Sequence, residues 1–265
     1  MQARHILFSA LAAGALASGV LGQTAVQAPG ETPAPTARDQ APKPPVPPGR
    51  DPGGVAIALI GTGIDYTLPD VASRLARDGE GELIGWDLQD QDRKPFAARQ
   101  GHARPGPGDG TGIAELLLGA PGVRLVPVRV APGDPVGLAR ALAFVAQTPA
   151  RVAVLAMGSP SPAHWEPLRQ AAQRFRQVLI VVPAGQGSEP THAAALGLDN
   201  VLPVAPGSAR AEPADIGAVA GHTAAAVAAA SAAAELLARE PGLEAAALKR
   251  RLAEGGGGAF WQVQR

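Results

Sequence analysis

The 265-residue sequence predicts an α/β domain built on buried parallel strands, and three features carry that prediction. Short uninterrupted apolar runs recur at 55–60, 152–157 and 178–182. A strand covered on both faces reads this way, whereas a half-exposed strand alternates apolar with polar residues. Segments with helical spacing lie between the runs, so strand, helix and strand repeat. Glycines stand where the runs stop, as in Gly61-Thr-Gly63 and Gly185-Gln-Gly187, and open parallel sheets present their ligand crevice at such carboxyl ends.

Taken in order, the chain opens with Arg4 and His5, an apolar run over 6–21, and Val26-Gln-Ala28 as a small-x-small cleavage signal. Residues 1–28 are therefore expected to be a signal peptide, and the protein periplasmic or secreted. An uncleaved anchor is the competing reading, but the run is rich in alanine and glycine and shorter than the roughly 20 residues a spanning helix needs. No membrane span is expected after leader cleavage. Cysteine is absent, so neither a lipobox nor a disulfide holds the chain. The roughly 235 remaining residues suit one α/β domain. With 23 basic against 23 acidic residues and no dense basic tract, nothing points to nucleic acid or an anionic membrane. Residues 29–54, including Ala41-Pro-Lys-Pro-Pro-Val-Pro-Pro48, form neither a ladder nor a packed helix and are expected to be a linker.

The domain is expected over 55–255. Val55-Ala-Ile-Ala-Leu-Ile60 is its first strand and opens into Gly61-Thr-Gly-Ile-Asp65. Residues 81–87 read as a second short strand, followed by Asp87, Asp90 and Asp92 in a polar loop. Three aspartates invite a calcium reading. Their spacing does not match an EF-hand and no bidentate glutamate follows, so a solvated acidic loop is expected, no metal site or cofactor is assigned, and calcium stays open. Gly106-Pro-Gly-Asp-Gly-Thr-Gly112 runs into a helix through Leu118; it lacks the Lys-Ser/Thr pair of a phosphate loop. Residues 121–130 form a strand, and 136–147 a helix with Leu138, Ala141, Leu142 and Val145 on one face. A strand at 152–157, a helix at 167–176, and strands at 178–182 and 199–205 follow. An alanine-rich helix over 221–237 is stopped by Pro241-Gly242, an amphipathic helix covers 243–252, and residues 256–265 are expected to be a loose tail.

Several of these stretches resemble, in order and near the usual spacing, the motifs of the subtilisin-like serine peptidases, or subtilases. The end of the first strand resembles Asp-Thr-Gly-Ile-Asp, Gly110-Thr-Gly-Ile-Ala114 resembles the histidine motif, Asp199-Asn-Val-Leu-Pro-Val-Ala205 resembles Asp-Asn-Val-x-x-Val-Gly, and Gly221-His-Thr-Ala-Ala-Ala-Val227 resembles the serine motif. The resemblance covers 55–252 and implies a three-layer α/β/α sandwich with a mainly parallel, subtilisin-like sheet. It also implies which positions would carry catalysis, and all of them differ. Gly61 replaces the aspartate, Asp109 the histidine, Gln186 the oxyanion asparagine and Thr223 the serine. Ala156-Met157-Gly158-Ser159 resembles one substrate-holding edge, while Ala131-Pro-Gly-Asp-Pro135, at the other, brings two prolines without the N–H that pairing needs.

A serine peptidase requires a hydroxyl, an imidazole to move its proton, a carboxylate to orient the imidazole, and donors for the oxyanion. Gly61 has no carboxylate to offer, and Asp109, with a reference pKa of about 3.9, is too weak a base for an alcohol. Gln186 carries its amide about 1.5 Å farther than asparagine would. The expectation is an exported pseudopeptidase that binds a polypeptide or an envelope protein partner. The alternative is a serine-type hydrolase with a rearranged site at Thr223, drawing on His222 or His102; a third reading is a structural part of an envelope assembly. Asp109 and Thr223 are expected to serve as helix N-caps.

Overall fold

The computed structural model describes residues 42–98, 110–156, 162–183, 197–206, 221–255 and 261–263. Their strands are β1 (Val55–Gly61), β2 (Trp86–Asp87), β3 (Val123–Arg129), β4 (Val152–Leu155), β5 (Leu179–Pro183), β6 (Val201–Pro206) and β7 (Trp261–Val263). The helices are α1 (Pro69–Ala72), α2 (Gly110–Leu118), α3 (Pro135–Val145), α4 (Pro162–Arg174), α5 (Gly221–Arg239) and α6 (Ala245–Glu254). The strands make one sheet in the order β2-β3-β1-β4-β5-β6-β7. All pairs are parallel except β6 with β7.

Burial on both faces explains the continuous apolar runs. Ile57 and Leu59 of β1 point to one side, with Leu125, Val154, Val181 and Leu202, and pack against α2, α5 and α6. Ala58 and Ile60 point to the other, with Val126, Ala153, Leu155 and Ile180, and pack against α3 and α4. Each fully buried Ile, Leu or Val adds about 1.5–3 kcal/mol relative to exposure, so one β1 residue in two stabilises each face. Helices on both faces of a mainly parallel sheet give the three-layer α/β/α sandwich. The long helix α5 tolerates close approach because its buried face is Ala225, Ala226, Ala229, Ala230 and Ala233. The connection after β1 runs to β2 on one side, and the connection after β3 crosses to β4 on the other side of β1, so the strand order reverses here and the carboxyl ends of β1 and β3 border the crevice of the sheet.

Several boundaries depart from the sequence reading. The compact unit begins at Lys43, not Val55. Residues 43–54 form an extended strap: Val46 packs on the core, the Tyr66 hydroxyl donates to the Pro44 carbonyl at 2.8 Å, and Arg77 Nη2 donates to the Pro47 carbonyl at 2.8 Å. Prolines lack N–H groups but keep their acceptors, so the body of the domain supplies the donors. At the other end, the expected loose tail contains β7, which covers the β6 edge. The helix expected from Pro167 starts at Pro162, with Pro167 inside it. The second strand is cut to Trp86–Asp87. Thr223 lies within the first turn of α5, which starts at Gly221, so it is not the N-cap. No helix of the described residues is long and apolar enough to cross a membrane.

Candidate functional site

The loop after β1 is held by unusually close backbone packing. Gly63 has φ +101°, a conformation side chains rarely adopt. A Cβ on Gly110, the first residue of α2, would lie 2.0 Å from the Gly63 carbonyl oxygen, so only glycine fits there. One residue on, Thr111 is buried, and its Oγ1 accepts a hydrogen bond from the Asp65 amide at 2.8 Å. Asp65 Oδ1 in turn accepts from the Thr67 amide at 3.0 Å. The glycine-rich stretch at the start of α2 is thereby explained by contact with the β1 loop.

Gly61 and Ala156 are brought together. The Ala156 amide donates to the Ile60 carbonyl at 2.8 Å, and a Cβ at Gly61 would stand 3.3 Å from Ala156 Cβ. The place where the resemblance puts an orienting carboxylate is therefore narrowed by a neighbouring methyl group. Thr223 is 5% exposed, on a helix that packs on β1, β4 and α2. Asp109, Gln186, Met157, Gly158 and Ser159 lie outside the described residues, as do His102, His192 and the side chains of His164 and His222.

Beside this loop lies a charge cluster that sequence reasoning missed. Asp87, fully buried and so not part of a solvated loop, receives Lys43 Nζ at 2.6 Å and Arg129 Nη1 at 2.9 Å on the same oxygen, Oδ2. Asp90 Oδ2 receives the same two groups at 2.7 and 3.0 Å, and Asp92 receives Lys43 at 3.1 Å. Arg129 Nε also donates to the Thr62 carbonyl at 3.2 Å. Burial opposes the Lys43 charge, but hydrogen bonds to Asp87, Asp90 and Asp92 outweigh it and raise its pKa above the ordinary lysine value. The Lys43 hydrogen bond holds the Asp90 carboxyl below its usual range, against some desolvation. The three aspartates thus meet cations of their own chain, and among the described residues no group of His, Asp and Glu is arranged to hold a metal. An arginine ending a buried strand opposite three aspartates was the available signal; Lys43 was hidden in proline-rich composition.

A cavity of about 470 Å³ opens at the amino ends of β4, β5 and β6, lined in part by Arg151, Leu198, Asn200 and Glu244. It lies on the opposite edge of the sheet from Gly61. Arg151 is committed there to the Pro241 and Leu243 carbonyls.

No protein-family model matches the sequence, and no curated protein does. Among solved structures, sphericase is 15% identical, with 79% of this chain and 85% of that chain covered and a TM-score of 0.49. MycP1 with its N-terminal propeptide removed is 17% identical, covering 73% and 80%, with a TM-score of 0.45. The epidermin leader peptide processing serine protease (EpiP) from Staphylococcus aureus is 14% identical at a TM-score of 0.40; 58% of this chain is covered, and the chain spans about half, 47%, of that protease. The α/β class rests on the sheet itself and not on these scores.

Proposed function

We propose that this chain is an exported pseudopeptidase of subtilase type, which acts by holding a polypeptide or a partner protein rather than by cutting one. The observation that carries the reading is the loss and narrowing of the carboxylate position: Gly61 has no side chain, and Ala156 Cβ lies 3.3 Å from where one would begin. An imidazole without an orienting carboxylate loses its tautomer and position, and losses within a triad are not additive, so what remains is roughly the 10³ to 10⁴-fold over water that binding and oxyanion donors supply. The burial of Thr223 supports the same reading, since a nucleophile has to be reached by the carbonyl it attacks. The rearranged site at Thr223 keeps only the hydroxyl in its favour.

The test is turnover of casein and of short peptides by the purified protein, run beside Thr223→Ala, together with identification of what co-purifies from an envelope fraction. Equal, background hydrolysis by both proteins and a stoichiometric partner are expected. Hydrolysis lost in Thr223→Ala would show an active enzyme.

A further inference from the structure

The strap and the β1 loop are tied to the same two oxygen atoms. Lys43 reaches Asp87 Oδ2 and Asp90 Oδ2 from the strap, and Arg129 Nη1 reaches both from the end of β3. The other arm of Arg129, Nε, holds the Thr62 carbonyl in the middle of the loop, and its Cδ lies against Gly63. We propose that the strap is a latch: seating of Lys43 sets how firmly Arg129 braces the Gly61–Asp65 loop, so that release of Lys43 loosens the crevice of the sheet from outside it.

The charges give the coupling its direction. With Lys43 seated, three carboxylates face two cations. With Lys43 withdrawn, Arg129 alone answers all three, one of them the fully buried Asp87, where an uncompensated charge is costly. The guanidinium is then drawn toward the carboxylates, and its bond to Thr62, at 3.2 Å already the longest of its contacts, is the one to yield. The effect stays local to the loop, because Gly110 still abuts Gly63 and β1 keeps its pairing with β3 and β4. The far end of the strap has separate anchors, in which Asp51 pairs with Arg124 and accepts from the Arg77 amide at 2.8 Å. The inference rests on this geometry and holds whether or not the crevice binds a polypeptide.

Amide hydrogen exchange on the full chain tests it, read at Ile64, whose amide donates to the Pro95 carbonyl, and at Asp65. In Lys43→Ala both amides should exchange about tenfold faster while β5 keeps its rate, since local opening and global unfolding separate in this measurement. Lys43→Arg, which keeps the charge, should restore the wild-type rate, and Asp51→Asn, at the other anchor, should leave Ile64 and Asp65 unchanged. Unchanged exchange at both amides in Lys43→Ala would overturn the latch. So would acceleration spread equally over β5, failure of the arginine to restore the rate, or an equal response in Asp51→Asn.

Discussion

Gly61 and Gly110 sit at close approaches of different severity, and the difference sets two predictions. In Gly61→Asp the new Cβ meets a methyl group at 3.3 Å. Overpacking costs about 1–3 kcal/mol, against about 0.4–1 kcal/mol recovered from a stiffer unfolded chain. A net loss of about 1 kcal/mol is expected in urea denaturation, relieved by adding Ala156→Gly; a gain in stability would show that the carboxylate position is open after all. In Gly110→Ala the new atom meets a backbone carbonyl at 2.0 Å, which cannot swing aside. The loss should be on the order of 3 kcal/mol or more. The charge cluster adds a pH prediction. Asp90 has a depressed pKa, so its contribution is present above the unfolded carboxyl value of about 3.9 and is lost as pH falls through the folded one. Lys43 has a raised pKa, so its contribution is present below about 10.4 and is lost as pH rises through the folded value. Denaturation midpoints measured from pH 2 to 11.5 should show both limbs in the wild type and flatter limbs in Lys43→Ala.

Among the elements, the strap was the one composition concealed. A proline-rich extended segment has neither helical nor strand periodicity, and its attachments run through carbonyls of Pro44 and Pro47 that no pattern records. A chain starting at Lys43 should match the full protein in thermal stability. One starting at Val55 loses Val46 from the core and a partner of buried Asp87. Breaking a buried pair costs about 3–5 kcal/mol, so its melting temperature should fall by about 10 °C; equal melting of the two truncations would return residues 43–54 to the status of a spacer. The buried strands, by contrast, were legible because double-sided burial writes itself as an apolar run: β1 and β3 to β6 fall within a few residues of expectation. Helix starts were less so. Pro167 marked a boundary by its missing donor, yet α4 continues through it. Thr223 looked like a cap but is the third residue of the helix, inside its first turn, and so does not stand at the N-cap position.

At the scale of the molecule, the sheet order places the crevice at the end of β1, and what stands there is a glycine with a close methyl group. The motif resemblance singled out Gly61, Ala156 and Thr223 one by one; the contact between Gly61 and Ala156 comes from the pairing of β1 with β4. The sequence did not reveal that Arg129 and Lys43 would border the same loop, because residues 86 apart in the chain carry no shared pattern until the sheet brings them together. The claim that the chain holds but does not cut is tested most directly by treating the purified protein with a fluorophosphonate probe and searching for the adduct by mass spectrometry. An unmodified protein under conditions that label an active serine peptidase completely is the expected result, and a stoichiometric adduct on Thr223 would contradict it.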